Sequence, residues 1–157
     1  MAIFLLTAAG CTFHPLVPET MPDKLNVWVM PPTAINWDNR PGADGVRVLF
    51  FFEKSGKGQP VSVSGTLEVY LHEVEGSVKL EEIIKAPPLR AWSFTPAQLE
   101  DFLATPPRPL TGFCYAIPLE FGDSPPRSAK ILIYARFRSA AGAIIYSQHT
   151  VIPMTPT

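Results

Sequence analysis

The sequence has little that announces a chemistry. Only two cysteines, Cys11 and Cys114, occur in 157 residues, which excludes a disulfide-dense scaffold and allows at most one bridge. Charge of neither sign prevails: 13 basic residues stand against 14 acidic ones, a formal net charge of -1. A nucleic-acid binder needs a basic footprint to neutralise phosphates, and this chain lacks even one cluster of five Lys or Arg. The same lack leaves an anionic membrane surface without a counterpart. No apolar run approaches the roughly 20 residues that a membrane-spanning helix requires. The three histidines, His14, His72 and His149, show none of the spacings of a zinc site, which needs three or four convergent ligands. A GxSxG elbow and a glycine-rich oxyanion segment are missing as well.

What the chain does have is hydrophobic content and proline. Hydrophobic residues make up 46% and charged residues 17%, enough to bury a core in one domain. The 18 prolines come partly in runs, at Pro31-Pro32, Pro87-Pro88, Pro106-Pro107 with Pro109, and Pro125-Pro126. Proline cannot donate to a sheet ladder and breaks helix interiors, so these runs cut the chain into short elements.

Between them, alternation with a period of two dominates. Leu25, Val27 and Val29 fall on one face of a strand. Val46, Val48, Phe50 and Phe52 fall on one face of the next, and Leu49 and Phe51 make its other face apolar too. A strand apolar on both sides belongs inside a sheet covered twice. From Val61 to Glu73, Val61, Val63, Leu67, Val69 and Leu71 point inward, while Glu68, Tyr70 and His72 point outward. Gly65 interrupts this run, as at a bulge or a close backbone approach. Further strands are expected at 78–84, 89–94 and 112–121, where Pro118 implies an edge or a bend. A last hairpin joins 130–138 to 143–152. One helix is expected near 95–104, from Thr95 as N-cap, Pro96 at the first helical position and Gln98 completing a capping box. The fold class is therefore all-β: an immunoglobulin-like or transthyretin-like sandwich of about 7–8 strands with one short helix.

The beginning of the chain reads differently. An apolar run, Ala2 to Leu6, gives way to small residues ending in Ala8-Ala9-Gly10-Cys11. This resembles the lipobox of bacterial lipoproteins. The resemblance implies that Cys11 is acylated and becomes the mature N-terminus. It further implies a signal-peptide remnant at 1–10, and Thr12, in place of an aspartate, implies the periplasmic face of the outer membrane. Residues 11–24, with Pro15, Pro18 and Pro22, then read as a proline-rich tether to a sandwich domain at 25–157. The competing reading makes residues 2–9 an ordinary strand and Cys11 a core cysteine. Cys114, on the strand face opposite its aromatic neighbours and next to Ala116, reads as a buried inert thiol.

Three clusters could carry function. Asp38, Asn39 and Asp44 are oxygen donors on one interstrand loop, where a sandwich could hold Ca²⁺; the alternative is turn chemistry, since Asp and Asn cap their own backbone. Trp28, Trp37 and Trp92, with Tyr70, Tyr134 and Tyr146, could build a stacking platform for sugars, or serve as core. Ser147 and His149 share one face of the last strand, but a nucleophile also needs an orienting acid and an oxyanion hole.

The body of the chain resembles uncharacterised bacterial secreted proteins and lipoproteins. The likeness is carried by the runs Asp44 to Phe52, Pro60 to Leu71, Trp92 to Leu99 and Ala135 to Ser139, and it implies no activity. A looser likeness, in size, lipobox and β content, is to small transthyretin-like lipoproteins that anchor secretion machinery. The expectation is a non-enzymatic, membrane-tethered domain of the cell envelope that binds a protein partner by sheet-edge or loop contacts. A carbohydrate-binding module and a hydrolase with an unrecognised site are the alternatives.

Overall fold

The alternating segments become strands in the computed structural model, which describes residues 21–38, 40–57, 59–76 and 79–154. In chain order the elements are β1 (Lys24–Ile35), β2 (Gly45–Glu53), β3 (Gly65–Glu73), α1 (Leu80–Lys85), β4 (Arg90–Phe94) and α2 (Pro96–Asp101). They continue with β5 (Leu103–Ala104), β6 (Cys114–Glu120), β7 (Lys130–Ser139), β8 (Ile144–Tyr146) and β9 (Thr150–Pro153). The expected leader, Cys11 and most of the expected tether lie outside the described residues.

Two antiparallel sheets form. The first has the order β1-β2-β6-β5; the second has the order β4-β3-β7-β8, with β9 also paired to β7. Lettered along the chain, and with β8 and β9 taken as one interrupted strand, these are A-B-E-D and C′-C-F-G. That is the immunoglobulin arrangement of the two sheets, extended by one strand beside C. The doubly apolar β2 lies between β1 and β6 as expected, and Val46, Leu49, Phe50, Phe51 and Phe52 are all buried.

Between the sheets Phe50, Phe52, Leu67, Val69, Leu71, Ile117, Leu119, Ile131, Ile133 and Phe137 make one continuous core. The rings of Phe52 (β2) and Phe137 (β7) meet at 4.8 Å, edge to face. They join the two strands that immunoglobulin domains link by a disulfide. Fully burying each such ring contributes on the order of 2 kcal/mol.

Gly65 opens β3 with its register unbroken, so it marks a close approach and no bulge. A Cβ there would run into the Arg138 carbonyl and the Phe137 ring. The capping box forms at Thr95, whose backbone N–H donates to Gln98 Oε1 at 2.9 Å, and α2 ends by Asp101.

One expectation is corrected. Where a strand is expected at 78–84, Val78 lies outside the described residues and Leu80–Lys85 form a helix, α1. Its isoleucines favour β structure, yet Leu80, Ile83 and Ile84 recur at helical spacing. Glu81 and Glu82 lie in the first turn and Lys85 in the last, which suits the helix dipole. The final strand is also split, at Ser147, into β8 and β9. Among the described residues no helix is long and apolar enough to cross a membrane.

Candidate functional site

The outward side chains of β3 and β7 meet on the exposed face of the second sheet. Antiparallel register sets Glu68 opposite Arg136 and Tyr70 opposite Tyr134. Directly opposed and diagonal side chains both touch on a pleated face, so two alternating sequences interlock. The Tyr70 and Tyr134 rings stack at 5.0 Å and 21°. His72 stacks on Tyr134 at 5.7 Å and 18°. The Arg136 guanidinium lies 6.0 Å from the Tyr70 ring centre. The result is one column, His72–Tyr134–Tyr70–Arg136, closed by an ion pair from Arg136 Nε to Glu68. His149, between β8 and β9, tilts against Tyr134 at 5.3 Å.

Tyr70, Tyr134, Arg136, Tyr146, Ser147 and His149 line a groove of about 450 Å³. Its floor is the paired strands β3 and β7, whose inward side chains lie in the main core. Tyr146, opposite Arg136 on β8, is 62% exposed and forms the outer wall. On the β4 side the wall is low: small, exposed Ala91 and Ser93 stand beside Tyr70 and Glu68. Arg138, exposed on the same face, is a second cation beside the single carboxylate Glu68, which, after Arg136, it also helps to lower.

The electrostatics follow from this packing. The hydrogen bond from Arg136 holds the Glu68 carboxyl below its ordinary value, and Glu68 in turn holds the guanidinium's proton more firmly. Burial raises both Tyr70 and Tyr134, keeping the phenols protonated as donors. Burial lowers His72, with a further push from His149, and burial lowers His149 too. His72 is buried, and among the described residues its Nε2 has no hydrogen-bond partner.

The other sequence candidates are placed apart. Trp28 is half exposed on the outer side of the first sheet, edge-on to Phe51 at 6.4 Å. Trp37 covers Gly45, six residues along β2 from Phe51, roughly 20 Å at the rise of a strand. Trp92 is half-buried against the main core. The three tryptophans therefore share no surface; of the six aromatic candidates only Tyr70, Tyr134 and Tyr146 come together.

In the β1–β2 loop the carboxylates serve the backbone. Asp44 Oδ2 accepts from the N–H groups of Trp37 and Asp38, at 3.1 Å for the latter. Asp38 Oδ1 accepts from Arg40 N at 2.8 Å, and its other oxygen is 3.4 Å from Arg40 Nε. Asn39 lies outside the described residues. Among those described, no group of three His, Cys, Asp or Glu converges as metal ligands would.

Ser147 is committed as well: its Oγ accepts from Ala135 N and donates to the Gln148 carbonyl, both at 2.8 Å. The groove holds Ser147 and His149, but no carboxylate is among the residues that line it. Cys114 is a free, buried thiol raised by burial, packed with Leu49 and Phe51.

The column was hard to read in sequence because β3 and β7 are about 60 residues apart. The signal was there in two halves, Glu68-x-Tyr70-x-His72 and Tyr134-x-Arg136. No protein-family model matches the chain, and no curated protein and no solved structure matches it.

Proposed function

We propose that this protein is a non-enzymatic lipoprotein of the cell envelope, anchored through acylated Cys11, whose sandwich binds another protein on the outer face of the second sheet. The observation that carries the binding site is the ring column on β3 and β7. A sugar platform offers ring faces to solvent, whereas here the faces of Tyr70 and Tyr134 are used on one another, on His72 and on Arg136. What remains for a ligand is a row of edges and polar tips held on the paired strands β3 and β7. Tyrosine and arginine so preorganised are the residues that dominate binding at protein interfaces, since they cost little rotamer entropy when a partner arrives. The donors outnumber the acceptors, and two cations, Arg136 and Arg138, stand beside the single carboxylate Glu68, so the partner presents an acidic, acceptor-rich segment.

The sequence Ala8-Ala9-Gly10-Cys11 and the prolines that follow it support the anchor. In this reading the protein is held at the periplasmic face of the outer membrane by its lipid alone.

The test is capture from detergent extracts of the envelope by the lipidated protein, with partners identified by mass spectrometry. The double variant Tyr134→Ser/Arg136→Ser should lose the partner, while Trp28→Ser, on the other sheet, should retain it. A partner held equally by both variants, or recovery of polysaccharide alone, would overturn the site. Radioactive fatty acid should label the parent chain and not Cys11→Ser; equal labelling would overturn the anchor.

A further inference from the structure

Each sheet of a sandwich has two edges, and an edge strand exposes unpaired N–H and C=O groups that will pair with any available strand. Three of the four edges here are blunted. The β1 edge loses its register between Val29 and Ala34, around Pro31 and Pro32. It is also sewn to the opposite sheet: Thr150 Oγ1 donates to the Val27 carbonyl at 3.4 Å and Thr33 Oγ1 to the Pro153 carbonyl at 3.3 Å. These contacts, with the bridge between Leu25 and Ser147, occupy the β8–β9 edge at the same time. The edge beyond β6 carries only the two residues of β5. There Ala116 N–H points outward to the Phe102 carbonyl, so position 118, two residues on, faces the same way, and it is a proline with no N–H to offer.

The fourth edge, β4, has none of these devices. Its five residues keep register with β3 from Arg90 to Phe94 without a shift. It contains no proline, lysine or acid, and among the described residues no strand, turn or side chain pairs with its far side. Its one charge is drawn away, since Arg90 Nη1 donates to the Glu120 carbonyl at 2.9 Å. Trp92 and Phe94 turn into the core, leaving small Ala91 and Ser93 on the outer face.

We infer that β4 pairs with β4 of a second copy of this chain, antiparallel about a two-fold axis through Trp92. A second copy offers an edge of the same length, equally free of proline, lysine and acid. Prolines at 87, 88 and 96 limit the free edge to five residues, and the one register that pairs all five sets 90 against 94, 91 against 93 and 92 against itself. In that register each Ala91 faces a Ser93, two small neutral side chains with nothing to repel. The two sheets then join into one, with both Tyr70–Tyr134 columns on the same face. Five residue pairs bury less than the roughly 800 Å² per partner of a standard stable interface, so the dimer is a concentration-dependent one.

The experiment is sedimentation equilibrium of the full chain under reducing conditions, from micromolar to millimolar. The expected result is a monomer–dimer equilibrium. Ala91→Lys/Ser93→Lys sets like charges opposite one another and should weaken the dimer at least tenfold. Ala91→Lys/Ser93→Glu sets Lys against Glu across the axis and should restore it. Both changes are at exposed positions, and circular dichroism checks that each variant folds. A parent chain that stays monomeric throughout, or a lysine pair that leaves the dimer intact, would overturn the inference. Protection of the 91–93 amides from hydrogen exchange should rise with protein concentration in the parent and not in the lysine pair; no such rise would overturn it too.

Discussion

The outer faces of the two sheets carry different stripes, apolar on β2 and polar-aromatic on β3 and β7, and end differently. On the first sheet, Leu49, Phe51 and Cys114 point away from the main core yet are buried, in a small second cluster with Met30, Ala104, Leu110 and Ala116. The segment between β5 and β6 folds back to cover them. On the second sheet, Glu68, Tyr70, Tyr134 and Arg136 point away from the core and remain half open, with α1 reaching only the end near His72. A covered face can be apolar because water never reaches it. An open one must present polar tips, and it does so here with aromatic bodies beneath them. The first face is sealed and the second stays accessible.

The largest effect that would sharpen this contrast is Phe51→Ala. A buried ring removed from the covered face should cost roughly 3 kcal/mol in denaturant unfolding. A loss below about 1 kcal/mol would show that the loop does not seal that face. Next comes Tyr134→Ala on the open face, which should cost about 1 kcal/mol, the size of an aromatic stacking contribution. Tyr134→Phe should cost almost nothing, because the ring remains. If Tyr134→Ala proved as damaging as Phe51→Ala, the two faces would not differ in kind.

The smallest effect is on pH. His72 and His149 both have folded values lowered by burial, so the unfolded chain takes up protons that the folded chain refuses. Stability contributed by the neutral imidazoles is complete above the ordinary histidine value of roughly 6.5 and falls as pH drops below it. Melting temperatures from pH 7 to pH 5 should decline, and less steeply in His72→Phe/His149→Gln. An identical slope in the variant would remove the histidines as the cause.

Much of this was legible residue by residue. The inward positions of β2, β3 and β7 followed from alternation alone, as did the central place of β2 from its two apolar faces. Thr95 and Gln98 located α2, and Pro118, read as an edge or a bend, lies where β6 runs past the two residues of β5. Other features were not legible. Leu80 to Lys85 has isoleucines that favour a strand and spacing that favours a helix, and in six residues neither signal dominates. The three tryptophans were equally good candidates for a shared surface until the sheets placed them, one outside each end of β2 and one against the core. Asp38 and Asp44 could have been ligands or turn caps, and only the positions of the Trp37, Asp38 and Arg40 amides decided between them.

The difference has one physical origin. Which way a side chain points on a strand is set by its own backbone and its immediate neighbours, so the sequence alone determined the all-β class and most of the core. Which strand lies beside which is settled by contacts between residues far apart in the chain, such as Tyr70 with Tyr134. Whether an outward stripe is then covered depends on where an intervening loop comes to rest. Those were decisions of the tertiary structure. They supplied the segment that closes over the apolar outward stripe of β2 and joined two alternating segments, β3 and β7, into an open, tyrosine-lined face.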